Sequence, residues 1–180
     1  MTAEHDDAAG ISVLATPIGT LTVAATDTGV VSCGFDAPDE VGARLAAAGI
    51  DTSGEQARRL REQAVAELTE YFAGDRHDFT VPVDLTLATT GFDRKVLTGL
   101  DTVGYGATTS YGRLGSAVGL PAAAVRGVGA ALGRNPVWII VACHRVVGAD
   151  GSLTGYAGGL AAKRWLLDLE SDLPQLALEL

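Results

Sequence analysis

Three short stretches near the start of the chain alternate apolar and polar residues or run apolar, which is typical of β-strands. Residues 11–14 and 21–25 flank a Pro-Ile-Gly-Thr turn and predict a β-hairpin, and residues 29–35 predict a third strand. Residues 41–48 are rich in alanine, and apolar side chains recur at helical spacing through residues 54–72, so two helices are expected next. The first half therefore predicts an α/β lobe with a small antiparallel sheet.

The second half has helical spacing that is broken by glycines. Residues 91–100 predict one helix, residues 110–117 predict another that Ser110 would cap, and residues 122–132 predict a third after a Gly-Leu-Pro turn. Helices joined by such a turn have the outline of a helix-turn-helix, although many helical hairpins share that outline. A last helix is predicted at residues 160–170.

An apolar run at residues 137–141 leads directly to a cysteine. This run predicts a buried strand or turn that delivers Cys143 together with His144 and Arg145. A base or a positive charge beside a thiol favours the thiolate, so this neighbourhood makes Cys143 a candidate for a reactive cysteine. Adjacency alone is weak support, because a buried cysteine is usually a small apolar residue. That ordinary role is the one we expect of Cys33.

The distribution of charge bears on whether the partner is DNA. The net charge of −9 argues at first against it, because nucleic acid is recognised by basic surfaces. Residues 1–87 contain five Lys and Arg against fifteen Asp and Glu, whereas residues 88–170 contain eight against five. The composition is therefore compatible with a DNA-binding second half and an acidic first half that faces away from the DNA.

The sequence predicts neither a metal site nor a membrane segment. The two cysteines form no C-x-x-C pair and the three histidines are scattered, so no zinc ligand set is expected. No apolar stretch approaches the length of a membrane span, and the acidic start lacks the features of a signal peptide. We therefore expect a soluble, cytoplasmic protein without a metal.

Several sequence blocks around Cys143 closely resemble the O6-alkylguanine-DNA alkyltransferase family, also called methylated-DNA--protein-cysteine S-methyltransferases. The blocks with the highest specificity are Asn-Pro-Val at 135–137, Cys-His-Arg-Val-Val-Gly at 143–148, Gly-Tyr-Ala-Gly-Gly-Leu at 155–160 and Lys-Arg-Trp-Leu-Leu at 163–167 with a glutamate at 170. Further similar blocks are Thr-Ser-Tyr-Gly at 109–112, Arg-Gly-Val-Gly at 126–129, Thr-Pro-Ile-Gly-Thr-Leu at 16–21 and Tyr-Phe-Ala-Gly at 71–74. The resemblance extends over about residues 11–170.

The resemblance implies a fold of two lobes. An α/β N-terminal lobe at 11–87, ribonuclease-H-like with a small antiparallel sheet plus helices, would precede a mostly helical, winged-helix-like DNA-binding lobe at 88–172. Residues 1–10 and 173–180 would be flexible tails.

The resemblance also implies direct-reversal DNA repair, in which Cys143 irreversibly accepts the alkyl group of an O6-alkylguanine, once per protein molecule. His144 would act as the base through a water, and Glu170 would hold and polarise His144. Asn135 would fix the active-site turn by hydrogen bonds. Tyr111 would assist rotation of the nucleotide and donate a proton to the departing guanine. No cofactor is expected.

DNA recognition would follow the family's pattern as well. The protein would be a monomer that places the second helix of its helix-turn-helix in the minor groove of double-stranded DNA and flips the damaged base. Arg126 would occupy the space left in the base stack. Val146 and the loop around Tyr156 would line the base pocket. The other residues expected to contact DNA or the base are Ser110, Ala124, Gly127, Arg145, Ala157 and Gly158.

The sequence departs from the family's pattern at a few positions near the candidate site. Ala142 stands where proline is usual, which removes a restriction on the backbone before the nucleophile. Trp138 is larger than the usual residue and would narrow or crowd the alkyl pocket. One additional residue lies between Pro121 and Arg126, which bears on the intercalating role of Arg126.

Other functions remain open from the sequence alone. A module that binds alkylated guanine without removing the alkyl group would require Cys143 to be unreactive. A Cys-His-Glu thiol hydrolase would turn over many times, and a structural or regulatory DNA-binding protein would bind damaged and undamaged DNA equally. Each candidate residue also has an ordinary alternative; Glu170, for example, could pair with Lys163 or Arg164 on its own helix.

Overall fold

The computed structural model of the protein describes residues 3–6 and 10–171, with side chains from residue 10 onward. The tail predicted at 173–180 lies outside the described residues. Within the described residues, no helix is long and apolar enough to cross a membrane.

The N-terminal lobe contains a four-stranded antiparallel sheet in the order β1-β2-β3-β4. The predicted hairpin is confirmed as β2 (Ile11–Thr16) and β3 (Gly19–Ala25), and the predicted third strand as β4 (Val30–Gly34). Strand β1 (Ala3–Asp6) pairs with β2 in a stretch that we expected to be part of a flexible tail. Its short polar sequence has no apolar alternation, so pairing with β2 is visible only in the fold.

Two helices pack on opposite faces of this sheet, the first against the face that carries Ile11 and Ala24 and the second against the face that carries Leu14 and Val23. Helix α1 (Pro38–Ala47) begins earlier than predicted because Pro38 is well suited to a first helical turn. Helix α2 (Glu55–Ala73) follows the predicted span within one residue at each end. Its apolar positions recur at helical spacing and are buried, and it stops at Gly74, which adopts the left-handed conformation with φ 81°.

The C-terminal lobe consists mainly of short helices. It contains α3 (Gly91–Thr98), β5 (Thr109–Ser110), α4 (Tyr111–Ala117), α5 (Val125–Gly133), β6 (Val146–Val147) and α6 (Gly159–Glu170). The predicted helix at 122–132 differs at its start, because the Ala124 amide bonds to the Pro121 carbonyl at 2.8 Å and forms a 3₁₀ turn before α5. Strands β5 and β6 pair in parallel.

The sheet of the N-terminal lobe continues into the second lobe through its β4 edge. The Cys33 amide donates to the Pro136 carbonyl at 2.9 Å, and the Trp138 amide donates to the Cys33 carbonyl at 2.8 Å. Cys33 and Val137 thereby form a parallel bridge. The sheet edge thus fixes the segment that leads to Cys143, and a single apolar cluster joins the two lobes.

An ion pair ties α3 to the end of α5. Asp93, which is 1% exposed, accepts hydrogen bonds from Arg134 Nη2 at 2.6 Å and Nε at 3.1 Å. The hydrogen bonds from Arg134 hold the pKa of Asp93 below its ordinary value. Because Arg134 directly precedes Asn135, this pair also fixes the start of the segment that leads to Cys143.

We expect Asp93→Asn to lower the free energy of unfolding by about 1 kcal/mol at pH 7, a modest value because the Arg134 side chain is 56% exposed. A lowered pKa in the folded state means that the stabilisation is complete above the unfolded-state pKa and is lost as the pH falls through the folded-state pKa. Urea denaturation of both proteins between pH 7 and pH 3 measures this difference. A difference that does not shrink in acid would contradict the ion pair.

Candidate active site

Cys143 lies in the wall of a cavity of about 550 Å³ that α4, α5 and the loop before α6 enclose. The cavity is lined by Tyr111, Val125, Gly129, Leu132, Gly133, Trp138, Cys143, Thr154, Gly155, Tyr156 and Ala157. Most of these side chains are apolar or aromatic, and few polar groups converge near the thiol. Such a cavity suits a flat, largely apolar ligand that is fixed by a few hydrogen bonds.

Asn135 stabilises the turn that leads to Cys143. Its Nδ2 donates to the Val141 carbonyl at 2.9 Å and to Cys143 Sγ at 3.2 Å, and its Oδ1 accepts from the Val137 amide at 3.0 Å. One side chain thus joins the start of the apolar run, its end and the nucleophile. The segment at residues 137–141, predicted as a strand or turn, is a turn. Asn135 makes hydrogen bonds to this turn, as its expected role requires.

The backbone of the same turn is strained at Ile139. This buried residue has φ 73°, a left-handed conformation that is rare for a β-branched side chain and costs about 1–3 kcal/mol. Hydrogen bonds on either side, from the Ile140 amide to the Trp138 carbonyl and from the Val141 amide to the Val137 carbonyl, hold it there. The position of Cys143 is therefore determined by several contacts together.

The Cys143 thiol is protonated at rest. It is 7% exposed, and burial raises its pKa, while the hydrogen bond from Asn135 and the positive charge of Lys163 oppose that rise. A thiol in this state needs a base before it can react.

His144, the next residue, is the histidine that the sequence predicts as that base. It is fully buried, its Nε2 lies 2.9 Å from Glu170 Oε1, and its Nδ1 has no hydrogen-bond partner among the described residues. Burial lowers the pKa of His144, so the ring is neutral at rest. Because a neutral ring that donates from Nε2 leaves a lone pair on Nδ1, the free nitrogen is the acceptor.

Glu170 binds four groups from separate parts of the chain. Besides His144, it accepts hydrogen bonds from Tyr71 Oη at 2.7 Å, from Arg145 Nε and Nη2 at 2.8 and 2.9 Å, and from the Gly106 amide at 3.2 Å. Burial disfavours its charge, but the hydrogen bonds from His144 and Arg145 lower the pKa of Glu170 to about 2. The carboxylate is therefore ionised, and it pairs with neither Lys163 nor Arg164.

The structure corrects the expectation that Arg145 contacts DNA or the base. Its guanidinium faces inward, where it binds Glu170 and donates to the Val103 carbonyl at 2.7 Å. Tyr71 was missed as a site residue, although it lies in one of the blocks that resemble the family. Its hydroxyl reaches Glu170 from the N-terminal lobe, a contact that no local pattern indicates.

The loop before α6 forms one side of the cavity. Thr154 Oγ1 and Tyr111 Oη lie 3.1 Å apart, so the loop contacts the tyrosine on α4. The Tyr156 ring packs against Trp138 with centroids 5.7 Å apart, and its buried hydroxyl has no partner among the described residues. Ala157 lines the cavity, and Gly158 is the N-cap of α6.

Trp138 occupies a defined place in the cavity wall. Its indole Nε1 donates to the Asn135 carbonyl at 2.6 Å, and its ring packs edge-on against Phe35 with centroids 5.4 Å apart. This large side chain thus packs against Phe35 of the N-terminal lobe and bonds to the residue that holds the turn of Cys143.

The other predicted contact residues lie outside the cavity lining. Arg126 is exposed near the start of α5, Ala124 is half-buried before it, and Ser110 caps α4 by accepting from the Arg113 amide at 3.2 Å. A side chain at Gly127 would approach the Phe92 ring to 3.0 Å, so glycine permits the close packing of α3 on α5 there. Val146 is buried in β6. Their roles toward DNA stay predictions.

Within residues 3–6 and 10–171, no three His, Cys, Asp or Glu side chains are grouped so that they could hold a metal ion.

Comparison with known proteins identifies both lobes. Residues 11–85 match the family model for the 6-O-methylguanine DNA methyltransferase, ribonuclease-like domain, and residues 91–172 match the model for the DNA binding domain. A methylated-DNA--protein-cysteine methyltransferase of Mycobacterium tuberculosis is 51% identical over 107 residues, which cover 59% of this chain and 63% of that relative. An inducible one of Bacillus subtilis is 50% identical over 109 residues, 61% of this chain and 59% of the relative. The chain thus spans less than two thirds of the length of these relatives.

Solved structures agree with the predicted fold class over more of the chain. The crystal structure of the Mycobacterium tuberculosis O6-methylguanine methyltransferase has a TM-score of 0.72 and 37% identity, covering 91% of this chain and 93% of that one. Mycobacterium tuberculosis OGT in complex with DNA has a TM-score of 0.70 and 37% identity, covering 88% and 90%. An α/β lobe with a small sheet followed by a helical DNA-binding lobe is therefore confirmed.

The contribution of the hydrogen bond from Tyr71 to Glu170 can be measured with a Tyr→Phe substitution, and the same substitution at Tyr156 is a matched control. Tyr71→Phe removes a hydrogen bond to a buried carboxylate and should lower the free energy of unfolding by about 1.5–3 kcal/mol. Tyr156→Phe removes a buried hydroxyl that bonds to no other described residue, and it should be close to neutral or stabilising. Chemical denaturation of the two variants measures both effects. Equal losses would show that the Tyr71 contact adds nothing beyond the burial of a phenol.

Proposed function

The chain belongs to the 6-O-methylguanine DNA methyltransferase family, and from that premise we propose that it repairs DNA by moving the alkyl group of an O6-alkylguanine onto Cys143. The observation that carries the proposal is the geometry around the thiol. Cys143 lines a cavity of about 550 Å³, Asn135 Nδ2 lies 3.2 Å from its sulfur, and the next residue is a buried histidine whose Nδ1 has no hydrogen-bond partner in the described part of the chain.

The reaction is a displacement at the alkyl carbon. His144 Nδ1 takes the thiol proton through a water, and Glu170 stabilises the imidazolium that forms. The sulfur attacks the alkyl carbon, a C–S bond forms, and the bond between carbon and O6 breaks. The electron pair of the broken bond stays on guanine, which takes a proton from Tyr111. The thiol proton, held until then by His144, replaces the proton that Tyr111 has lost. The thioether is stable, so each protein molecule reacts once.

The DNA partner follows from the same reaction. O6 is inaccessible within a base stack, so the damaged nucleotide of double-stranded DNA must rotate into the cavity. We assign α5 to the minor groove and exposed Arg126 to the space that the base leaves, with the protein acting as a monomer in the cytoplasm. The acidic side chains concentrate in the N-terminal lobe, which supports an orientation with that lobe away from the phosphates.

One observation favours a second candidate, a module that binds alkylated guanine without accepting the alkyl group. Burial raises the pKa of Cys143, which disfavours the reactive thiolate. Against this candidate, Asn135 donates to the sulfur and the next residue, His144, offers an acceptor nitrogen, and a pure binding module needs neither.

Intact-protein mass spectrometry after incubation with a duplex that carries one O6-methylguanine decides between these candidates. We expect one added methyl group per wild-type molecule, with an equal amount of guanine restored, and no gain for Cys143→Ser. Tight, lesion-selective binding without a gain in mass would overturn the transfer and leave the binding module. Restoration of more than one guanine per protein would favour a multiple-turnover enzyme instead.

A further inference from the structure

The loop before α6, residues 154–158, is fixed differently at its two ends. At its start, the Thr154 carbonyl accepts a hydrogen bond from Lys163 Nζ at 2.8 Å, within the C-terminal lobe. Farther along, Tyr156 turns inward, but its buried hydroxyl bonds to no other described residue. Packing must therefore hold the second part of the loop, which forms one side of the cavity.

That packing includes a side chain of the N-terminal lobe, Phe35, directly after β4. Its ring meets Trp138 edge-on with centroids 5.4 Å apart, and Trp138 in turn packs against Tyr156 with centroids 5.7 Å apart. Trp138 and Tyr156 line the cavity, whereas Phe35 contacts Trp138 from outside that lining. Three rings thus connect the end of the sheet to the loop before α6.

Two glycines receive opposite edges of the Phe35 ring. A methyl group at Gly158, the last residue of the loop, would lie 2.5 Å from Cε2 of Phe35 and 2.9 Å from Cε1 of Tyr156. A methyl group at Gly19, in the turn between β2 and β3, would lie 3.3 Å from Cε1 of Phe35. Because Cε1 and Cε2 are on opposite edges of the ring, Phe35 lies between the hairpin turn and the loop, and a larger residue at either glycine would displace it.

The Phe35 ring also joins two sequence blocks that resemble the family. Gly19 belongs to the block at residues 16–21, and no residue of that block lines the cavity. Gly158 belongs to the block at residues 155–160, which does line it. The hairpin block, to which the chemistry assigns no task, therefore reaches the cavity through one aromatic ring.

We propose that Phe35 is a positioning residue for the substrate base. Held by the hairpin turn, it keeps Tyr156 and Gly158 in place, so that the loop before α6 is already ordered when an alkylated base enters the cavity. A loop that is ordered in advance does not have to be ordered by the base, and the base therefore binds more tightly. This inference rests on the proposed function for the identity of the ligand, but the anchoring of the loop can be measured without DNA.

Phe35 should act on the base and not on the thiol. Asn135 bonds to Cys143 Sγ, and Glu170 bonds to His144, in each case within the C-terminal lobe. Trp138 also has its own hydrogen bond to the Asn135 carbonyl at 2.6 Å. Loss of the Phe35 ring should therefore weaken the binding of the base without making Cys143 less reactive.

Phe35→Ala removes the ring and tests this separation. We expect the second-order rate constant for methyl transfer from a duplex with one O6-methylguanine to fall about tenfold, which is the upper range for a lost aromatic pair. Affinity for the same duplex with an unmodified guanine should stay as in the wild type, and the reaction of Cys143 with iodoacetamide should not become slower. A wild-type transfer rate in the folded variant would overturn the inference. An equal loss of affinity for the unmodified duplex, or a slower reaction with iodoacetamide, would overturn it too.

Leu45→Ala is the matched control for lost stability. Leu45 is buried in the separate apolar cluster with Ile11 and Val41, on the other face of the sheet. Its truncation should lower the free energy of unfolding and leave the three rings in place, so we expect the wild-type transfer rate. Circular dichroism confirms that each variant is folded. An equal loss of rate in Leu45→Ala would show that general destabilisation explains the effect of Phe35→Ala.

Gly158→Ala tests the contact between the ring and the loop. In the otherwise unchanged protein, the new methyl group would strike the Phe35 ring, and transfer should be slowed. In the Phe35→Ala background that ring is gone, so Gly158→Ala should cause a clearly smaller further loss. Residues that touch are expected to be non-additive in this way. Losses that multiply independently would contradict the contact on which the inference depends.

Cleavage by chymotrypsin measures the anchoring of the loop without DNA. Cleavage after Tyr156 requires its ring to leave the cavity wall, whereas cleavage after the buried Tyr71 of α2 requires more extensive unfolding. The ratio of the two rates, from mass spectrometry of the fragments, should rise about tenfold in Phe35→Ala and stay unchanged in Leu45→Ala. An unchanged ratio in Phe35→Ala would overturn the inference. Failure of methyl transfer by the wild type, with the ratio shifted as expected, would refute the proposed function and leave the anchoring of the loop standing.

Discussion

The buried carboxylate of Glu170 is the interaction on which both the fold and the candidate chemistry depend. It accepts from Tyr71 in the N-terminal lobe and from His144 and Arg145 after the nucleophile. Without these donors, an ionised carboxylate in this buried position would be strongly destabilising. The folded protein must therefore keep all of the donors around the carboxylate. The geometry that satisfies Glu170 also leaves His144 Nδ1 without a hydrogen-bond partner among residues 10–171. Stability and reactivity are thereby linked through one side chain.

The N-terminal lobe acts on the candidate site through its sheet as well. The segment before Cys143 has little regular structure of its own, and the edge of β4 supplies it with two backbone hydrogen bonds at Cys33. Burial raises the pKa of Cys33 to about 12, so its thiol is inert while its backbone is structurally important. The strained conformation of Ile139 is tolerated because these contacts and those of Asn135 leave the turn little freedom.

The sequence predicts most elements and the local part of the site, for identifiable reasons. Helix α2 is predicted within one residue at each end because its buried face repeats at helical spacing and Gly74 ends it. Tyr71 could not be assigned a role, because its partner Glu170 is 99 residues away. The family resemblance led us to expect Arg145 among the residues that contact DNA or the base, whereas the direction of its side chain is set by the tertiary contact with Glu170.

Transfer to Cys143 requires a neutral His144 whose Nδ1 is available to take the thiol proton. The ¹⁵N NMR shifts of His144 in selectively labelled protein test this claim directly. We expect, at pH 7, a protonated Nε2 that is hydrogen-bonded to Glu170 and an unprotonated Nδ1. A doubly protonated ring, or a proton on Nδ1 alone, would contradict it, because neither form could accept the proton of Cys143 at that nitrogen.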